Sequence, residues 1–394
     1  MSTNINNDEP QMQKNILDLQ IGLLLGGTKA KEKKRILERL ATGVTNIIIG
    51  THSLFQKSVE YNNLGLVIID EQHRFGVEQR SDLLSLAKQS IAKLDATKEN
   101  NSQNISPHTL YMTATPIPRT MTMTLYGDLD VSIIKTMPAN RLPILTQVCF
   151  DSQREQVYEF VRMELNKGRQ SYIVFPLIEK SEKLALKSAV EYYEIIANEI
   201  FPEYKCGLLH GQLTFGEKEN VMQQFKNNDY QILVATTVVE IGIDVSNATI
   251  MLIEDAERFG LAQLHQLRGR VGRGSEQSYC FLMTKDNFKF KFARNTKNNE
   301  DEKINSIVRL KAMQETNDGF QLSEIDMNLR GPGDILGTRQ SGLPDFKYID
   351  LVNDADIIKK ATDLAKQIIN SDPSLKDEKN AILKQNYNNH SNNY

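Results

Sequence analysis

Tryptophan is absent from the 394 residues, and cysteine occurs only three times, at Cys149, Cys206 and Cys280. The three are far apart and form no CxxC spacing. That excludes a disulfide framework or a cysteine zinc site, and predicts reduced, buried thiols in a cytoplasmic protein. No run approaches the roughly 20 apolar residues of a membrane helix. Residues Met1–Gln20 are polar and Asn-rich, without the apolar segment and small-residue cleavage site of a secretory leader. Neither sign of charge dominates: 47 Lys and Arg against 50 Asp and Glu leave a net charge of −3. This excludes a uniformly basic coat but leaves room for a local basic channel for nucleic acid. A Gly-Lys dipeptide is also lacking, so the phosphate-cradling pattern GxxxxGKS/T occurs nowhere.

What is present is ordinary globular material, 40% hydrophobic and 25% charged, enough for two or three domains. Short continuous apolar runs recur along the chain. One set comprises Ile47–Ile49, Leu66–Ile69 and Leu110–Met112; a second comprises Tyr172–Phe175, Gly207–Leu209, Ile232–Val234, Ile250–Ile253 and Tyr279–Leu282. Strands buried on both faces of a parallel sheet require runs of this kind. The stretches between them are helix-compatible: Glu32–Leu40 aligns Ile36, Leu37 and Leu40 and stops near Gly43. Alternation of this kind predicts an α/β architecture. Met137–Pro143, with two prolines, reads as an interdomain linker, and the polar Lys285–Lys303 separates off a third region. Helical patterns follow at Ile304–Glu315 and near Asp354–Ile369, around a Gly/Pro-rich loop, Leu329–Leu343. Beyond Ser371 the Asn-rich composition predicts a tail that is mostly disordered.

Several clusters could carry chemistry. Asp70-Glu71-Gln72-His73 follows directly on the run Leu66–Ile69, at the carboxyl end of a strand where open α/β sheets bind ligands. One carboxylate there can hold Mg²⁺ while the next orients a water for attack on a γ-phosphate. A solvated turn would look the same. Thr113-Ala114-Thr115-Pro116 ends the next run, and Thr236–Val245, containing Gly242 and Asp244, follows Gln231–Ala235. Hydroxyls beside a glycine let backbone N–H groups approach a nucleic-acid phosphate. Gln266–Gly274 interleaves three arginines with three glycines. Arg270 and Arg273, at i and i+3, fall on one face and can address one anion.

Taken in order, Gly50-Thr51-His52, Asp70–His73, Thr113–Thr115, Thr236–Asp244 and Gln266–Arg273 resemble motifs Ib, II, III, V and VI of superfamily-two helicases. The flanks VIIDEQHRFGVEQR (Val67–Arg80) and YMTATPIPRT (Tyr111–Thr120) look like the bacterial RecG family and its relative, the transcription-repair coupling translocase. LRGPGDILGTRQSG (Leu329–Gly342) resembles the RecG form of the translocation motif. The resemblance runs from about Ile21 to Lys366.

It implies an ATP-dependent, monomeric DNA helicase acting on branched or duplex DNA at stalled forks and recombination junctions, with ATP and Mg²⁺ as cofactors. It also implies two RecA-like parallel-sheet motor domains. The first, truncated, spans 21–136 after a divergent, disordered start at 1–20; the second spans 144–284 beyond the linker at 137–143. A helical translocation-motif region (304–370) and the tail (371–394) follow.

By resemblance, Asp70 would hold Mg²⁺, Glu71 would activate water, and His73 with Gln72 would link that site to DNA. Arg270 and Arg273 would reach the triphosphate, supported by Gly242, Asp244 and Gln266. Gly26, Thr51, His52, Thr113, Thr115, His210, Gly211 and Thr236 would contact DNA; Arg330, Arg339 and Gln340 would couple closure to movement. For His52 and His210 a structural turn histidine is an equal reading, and Gln212 stands where the family usually carries a basic residue.

A RecG protein also has a wedge domain and a phosphate loop. Gly22–Lys29 (GLLLGGTK) is glycine-rich, but Lys29 follows Thr28 instead of preceding it, so it matches the motif Ia region. The first motor half would therefore leave apolar strand faces uncovered and be the less stable half. Two readings stand: a helicase completed by a separately encoded wedge and phosphate-loop piece, or a catalytically inactive remnant that only binds DNA or its partner piece.

Overall fold

In the computed structural model the described residues are 19–56, 58–71, 107–113, 130–134, 136, 141–176, 182–236, 244–289, 302–330 and 354–391. The chain divides into two units, Met1–Ala114 and Thr115–Tyr394. The division falls ahead of the linker expected at 137–143, most of which lies outside the described residues.

In the first unit, β1 (Ile21–Leu24) leads through α1 (Ala30–Ala41) to β2 (Ile47–Gly50), and the two strands pair in parallel. β3 (Leu66–Ile69) pairs in parallel with β4 (His108–Tyr111). Among the described residues these remain two separate two-stranded sheets. The register sets Ile21 opposite Ile47 and Leu23 opposite Ile49, and all four side chains are exposed, Ile21 by 66% and Ile49 by 57%. Leu66, Ile68 and Leu110 repeat this on the other pair. Leu24, Leu40 and Ile69 are buried. Each ribbon thus keeps one apolar face in water, the state expected for this half.

The second unit satisfies its strands. β5 (Leu145–Phe150), α2 (Arg154–Asn166), β6 (Gln170–Val174), α3 (Glu182–Glu194), β7 (Cys206–Leu209), α4 (Phe215–Lys226), β8 (Ile232–Ala235), β9 (Ala248–Ile253), α5 (Leu261–Arg268) and β10 (Tyr279–Thr284) build one parallel sheet of order β5-β10-β9-β6-β8-β7. All of β6, β8 and β9 is buried. Alternate residues feed two cores. On one face Ile173, Val234, Ile250, Leu252 and Met283 pack with Val157 and Val161 of α2 and with Phe201. On the other, Tyr172, Leu233, Met251 and Leu282 pack with Met222 and Phe225 of α4 and with Leu261, Leu264 and Leu267 of α5. Each such side chain contributes about 1.5–3 kcal/mol through burial. The start of α4 is legible as a capping box, in which Thr214 and Glu217 exchange hydrogen bonds at 3.4 and 2.7 Å.

Beyond the sheet, α6 (Glu302–Glu315) and α7 (Gly319–Arg330) bring Ile307, Leu310, Met313 and Leu322 into the α5-side core. This helical pair is one body with the second sheet. After it come α8 (Ala355–Ser371) and α9 (Ala381–Ser391). The expectation of a mostly disordered tail is corrected here. Asp372 accepts hydrogen bonds from the N–H groups of Lys376 and Asp377 and from Asn380 Nδ2, all at 2.9 Å, and that knot launches α9 despite its asparagines. All three cysteines are free and buried. No helix among the described residues is long and apolar enough to cross a membrane.

The contrast between the units is testable by side-chain truncation. Leu233, fully buried, should cost about 3 kcal/mol on replacement by alanine. Ile49→Ala in the open ribbon should cost under about 1 kcal/mol. Urea denaturation followed by circular dichroism checks the pair; similar losses would mean that the ribbon face is covered in solution.

Candidate nucleotide and DNA sites

The carboxylate pair sits where β3 stops. Asp70 is exposed, and its Oδ1 accepts the Glu71 backbone N–H at 2.9 Å. Glu71 itself adopts a left-handed backbone, φ 51°, a conformation a non-glycine residue holds only at a cost. The turn therefore keeps the two carboxylates from continuing along the strand. Asp70 retains a second carboxylate oxygen toward solvent. Among the described residues no cluster of three or more His, Cys, Asp or Glu could cage a metal. A single carboxylate at a strand end suits Mg²⁺, which keeps waters and takes substrate phosphate oxygens instead of an all-protein cage.

Gly50-Thr51-His52 closes over the end of β1. Thr51 N–H and the Ser53 hydroxyl both reach the Leu24 carbonyl, at 3.4 and 3.0 Å. A Cβ on Gly50 would lie 2.3 Å from that carbonyl, so only glycine fits. Thr51 and His52 are left exposed, with the His52 ring edge-on to Phe55. Gly26 is at the tip of the turn that follows β1, with open space where a side chain would be. Thr113 lies exposed just past β4.

In the second unit, His210 and Thr236 leave adjacent strands side by side. Leu209 pairs with Ala235, and the Thr236 N–H donates to the Leu209 carbonyl at 3.1 Å. His210 Nδ1 and the fully buried Thr236 Oγ1 have no hydrogen-bond partner among the described residues. Two orphaned polar atoms at the carboxyl end of a parallel sheet suit an incoming phosphate. Burial, then the nearby Lys218, holds the His210 imidazole below its usual value. Lys218 also donates to the Gly211 carbonyl at 2.8 Å, which places a cation beside the loop where Gln212 replaces the expected basic residue.

The three arginines at and after the end of α5 separate by environment. Arg268 is 2% exposed, and its guanidinium donates to the Met313 and Thr316 carbonyls, both at 2.9 Å. Those carbonyls terminate α6, so Arg268 ties the arginine-glycine loop to the helical pair. Arg273 is partly exposed and meets Asp244 at 3.7 Å and the Gly269 carbonyl at 3.3 Å. Arg270 and Arg273 both face Tyr172, whose hydroxyl is pushed up to about 12 by burial against the pull of these two cations. Asp244, expected to hold this loop, thus lies beside Arg273. Gln266 makes no side-chain bond to the loop among the described residues. Gly272 has φ 74° and would set a Cβ 2.9 Å from Ile144. This glycine lets the loop turn tightly enough to aim Arg273 back over Gly269. Burial, then Arg268, depresses the α5 imidazole of His265 to about 4, leaving it neutral.

Sequence reasoning did not single out Arg268, although its signal was available. Residues 261, 264, 267 and 268 share one helical stripe, and all are buried. It also missed Glu254, buried at the end of β9, which pairs with Arg154 at 2.6 Å. His73, Thr115, Gly242, Arg339 and Gln340 lie outside the described residues, and of Arg330 only the helical backbone, at the end of α7, is described.

Arg268 and Arg273 should therefore respond differently to truncation. Arg268→Ala strands one buried and one partly buried carbonyl and should lower stability by about 3 kcal/mol. Arg273→Ala removes a half-exposed pair and should cost under about 1 kcal/mol. Equal urea midpoints for the two variants would contradict the assignment.

Family models match at residues 5–124 (DEAD/DEAH box helicase), 152–275 (helicase conserved C-terminal domain) and 316–392 (ATP-dependent DNA helicase RecG, domain 3, C-terminal). The chain is 48% identical over 361 residues to the ATP-dependent DNA helicase RecG of Synechocystis, covering 92% of this chain and 40% of that protein. It is 45% identical over 367 residues to RecG of Bacillus subtilis, covering 93% of this chain and 49% of the relative. A solved structure of RecG bound to a three-way DNA junction superposes with a TM-score of 0.58 at 42% identity, over 87% of this chain and 40% of that one. The chain thus spans less than half the length of these relatives. In sequence and in fold the chain is thus similar to proteins named ATP-dependent DNA helicase RecG.

Proposed function

We propose that this chain is the motor portion of an ATP-dependent helicase acting on branched DNA, and that hydrolysis requires a further polypeptide segment carrying a phosphate-binding loop. One observation carries the reading: the described parts of the family motifs stand at the carboxyl ends of parallel strands or at the end of α5. The relative whose fold it shares was solved on a three-way DNA junction, which supports branched DNA as substrate.

Asp70 would hold Mg²⁺ through its solvent-facing oxygen; bound there, the ion would neutralise phosphate charge. Glu71, turned off the strand by its left-handed backbone, would orient the attacking water. Arg270 and Arg273 would offset negative charge on the transferred phosphoryl group. Thr51, His52, His210 and Thr236 would hold DNA phosphates.

The need for a further segment rests on two facts. No Gly-Lys dipeptide occurs in the sequence, so neither the loop lysine nor its cradle of amides is present. The open apolar faces of the first unit fit a strand-and-helix element from such a segment.

ATP hydrolysis assays test the reading. The chain alone should show no DNA-stimulated turnover. Adding a polypeptide that carries the wedge and GxxxxGKS/T portion of a RecG relative should restore it. In the restored enzyme, Arg273→Ala should lower turnover about 10³-fold or more with DNA affinity unchanged. Robust turnover by the chain alone that Glu71→Gln abolishes would contradict the requirement for the added segment.

A further inference from the structure

The DNA reading leaves one strongly charged surface unused. Between Lys29 and Arg35 the chain carries five cations, Lys29, Lys31, Lys33, Lys34 and Arg35, against one anion, Glu32, in a protein whose net charge is −3. At 100° per residue, Lys31, Lys34 and Arg35 fall within an arc of about 100° on α1. Ile36, Leu37 and the buried Leu40 point the opposite way, toward β1. The three cations are exposed. Lys34 comes no closer than 3.9 Å to Glu38, with the two side chains 80% and 65% exposed, a separation and exposure that leave its charge essentially unneutralised.

The same surface continues into the Gly26-Gly27 turn, where the space a Cβ would occupy on either glycine is open, with no atom within 4 Å. The start of α1 beside it has no side-chain cap. The open glycine turn and three exposed lysine or arginine side chains thus lie in one short stretch of chain. The apolar side of α1 is already packed within its own unit, which leaves nothing to insert into a lipid surface. Charge alone is on offer, and it is the pattern that tracks a phosphate backbone.

We propose that Lys31, Lys34 and Arg35 form a duplex-DNA backbone track that extends the Gly26 contact along α1. This rests on the DNA reading above and adds residues to it. Helix α8 supplies an internal control. It also exposes three lysines, Lys359, Lys360 and Lys366, but Asp354, Asp356 and Asp363 balance them one for one.

The test is the salt dependence of binding of the full chain to a fluorescein-labelled forked duplex, read by anisotropy. The triple variant Lys31→Gln, Lys34→Gln, Arg35→Gln should flatten the log–log salt slope by about 2 to 3, at roughly 0.9 for each phosphate that is no longer neutralised. Affinity at about 0.1 M salt should fall at least tenfold. Lys359→Gln, Lys360→Gln, Lys366→Gln should leave both unchanged. All three α1 positions face solvent, so an unchanged circular dichroism spectrum is expected alongside. Retained binding with an unchanged slope overturns the track while leaving the DNA reading intact, and an equal loss in the α8 variant overturns it in favour of undirected charge. An α1-dependent gain on phosphatidylserine vesicles with no change on DNA would assign the face to lipid instead. Failure of the unaltered chain to bind the fork at any salt would overturn the DNA reading and the track with it.

Discussion

Parallel strands carry apolar residues on both faces, and each face must be covered. That requirement divides this molecule. In the second unit it is met twice, by α2 and α3 on one side of the sheet and by α4, α5 and the α6–α7 pair on the other. In the first unit it is met on one side only. Leu24, Leu40 and Ile69 are buried, while Ile21, Leu23, Ile47, Ile49, Leu66, Ile68 and Leu110 stay in water. Among the described residues the two ribbons remain separate two-stranded sheets, each exposing apolar area.

Within the second unit, the interaction that organises the arginine-glycine loop is the buried guanidinium of Arg268. By satisfying the last carbonyls of α6, it makes the loop and the helical pair a single packed object. Gly272 turns the backbone so that Arg273 meets Asp244, while Arg270 faces the Tyr172 side of the core. One short segment thus contains a buried arginine bonded to backbone carbonyls and a partly exposed one paired with Asp244. Through Arg268 this loop is bonded directly to the end of α6, which packs with α7 on the same core.

Much of this was legible in the residues. Continuous apolar runs marked eight of the ten described strands, because a strand buried on both faces leaves no alternation. β5 escaped since Leu145-Thr-Gln-Val-Cys-Phe150 lies at a sheet edge and interrupts its apolar run with polar residues. β1 escaped because Gly22 and the following glycines read as a loop. The ordered motifs pointed to the RecG resemblance and the candidate residues; the helical stripe of α5 marks Arg268 as inward-facing, but its carbonyl partners about 45 residues away in sequence are encoded by no local pattern. The helix at Ala381–Ser391 was hidden by composition. Asparagine lowers helix propensity only by a fraction of a kcal/mol per residue, and the Asp372 knot is sufficient to start it.

The central proposal is that the exposed apolar faces of the first unit receive a further segment carrying a phosphate-binding loop. Hydrogen exchange of the β1–β4 amides, with and without the added wedge and phosphate-loop polypeptide, tests this most directly. The account predicts fast exchange in the chain alone, far faster than in β6, β8 and β9, and at least tenfold slowing in β1–β4 when the added piece binds and hydrolysis appears. Strands β1–β4 already as protected as β6, β8 and β9 in the chain alone would contradict it.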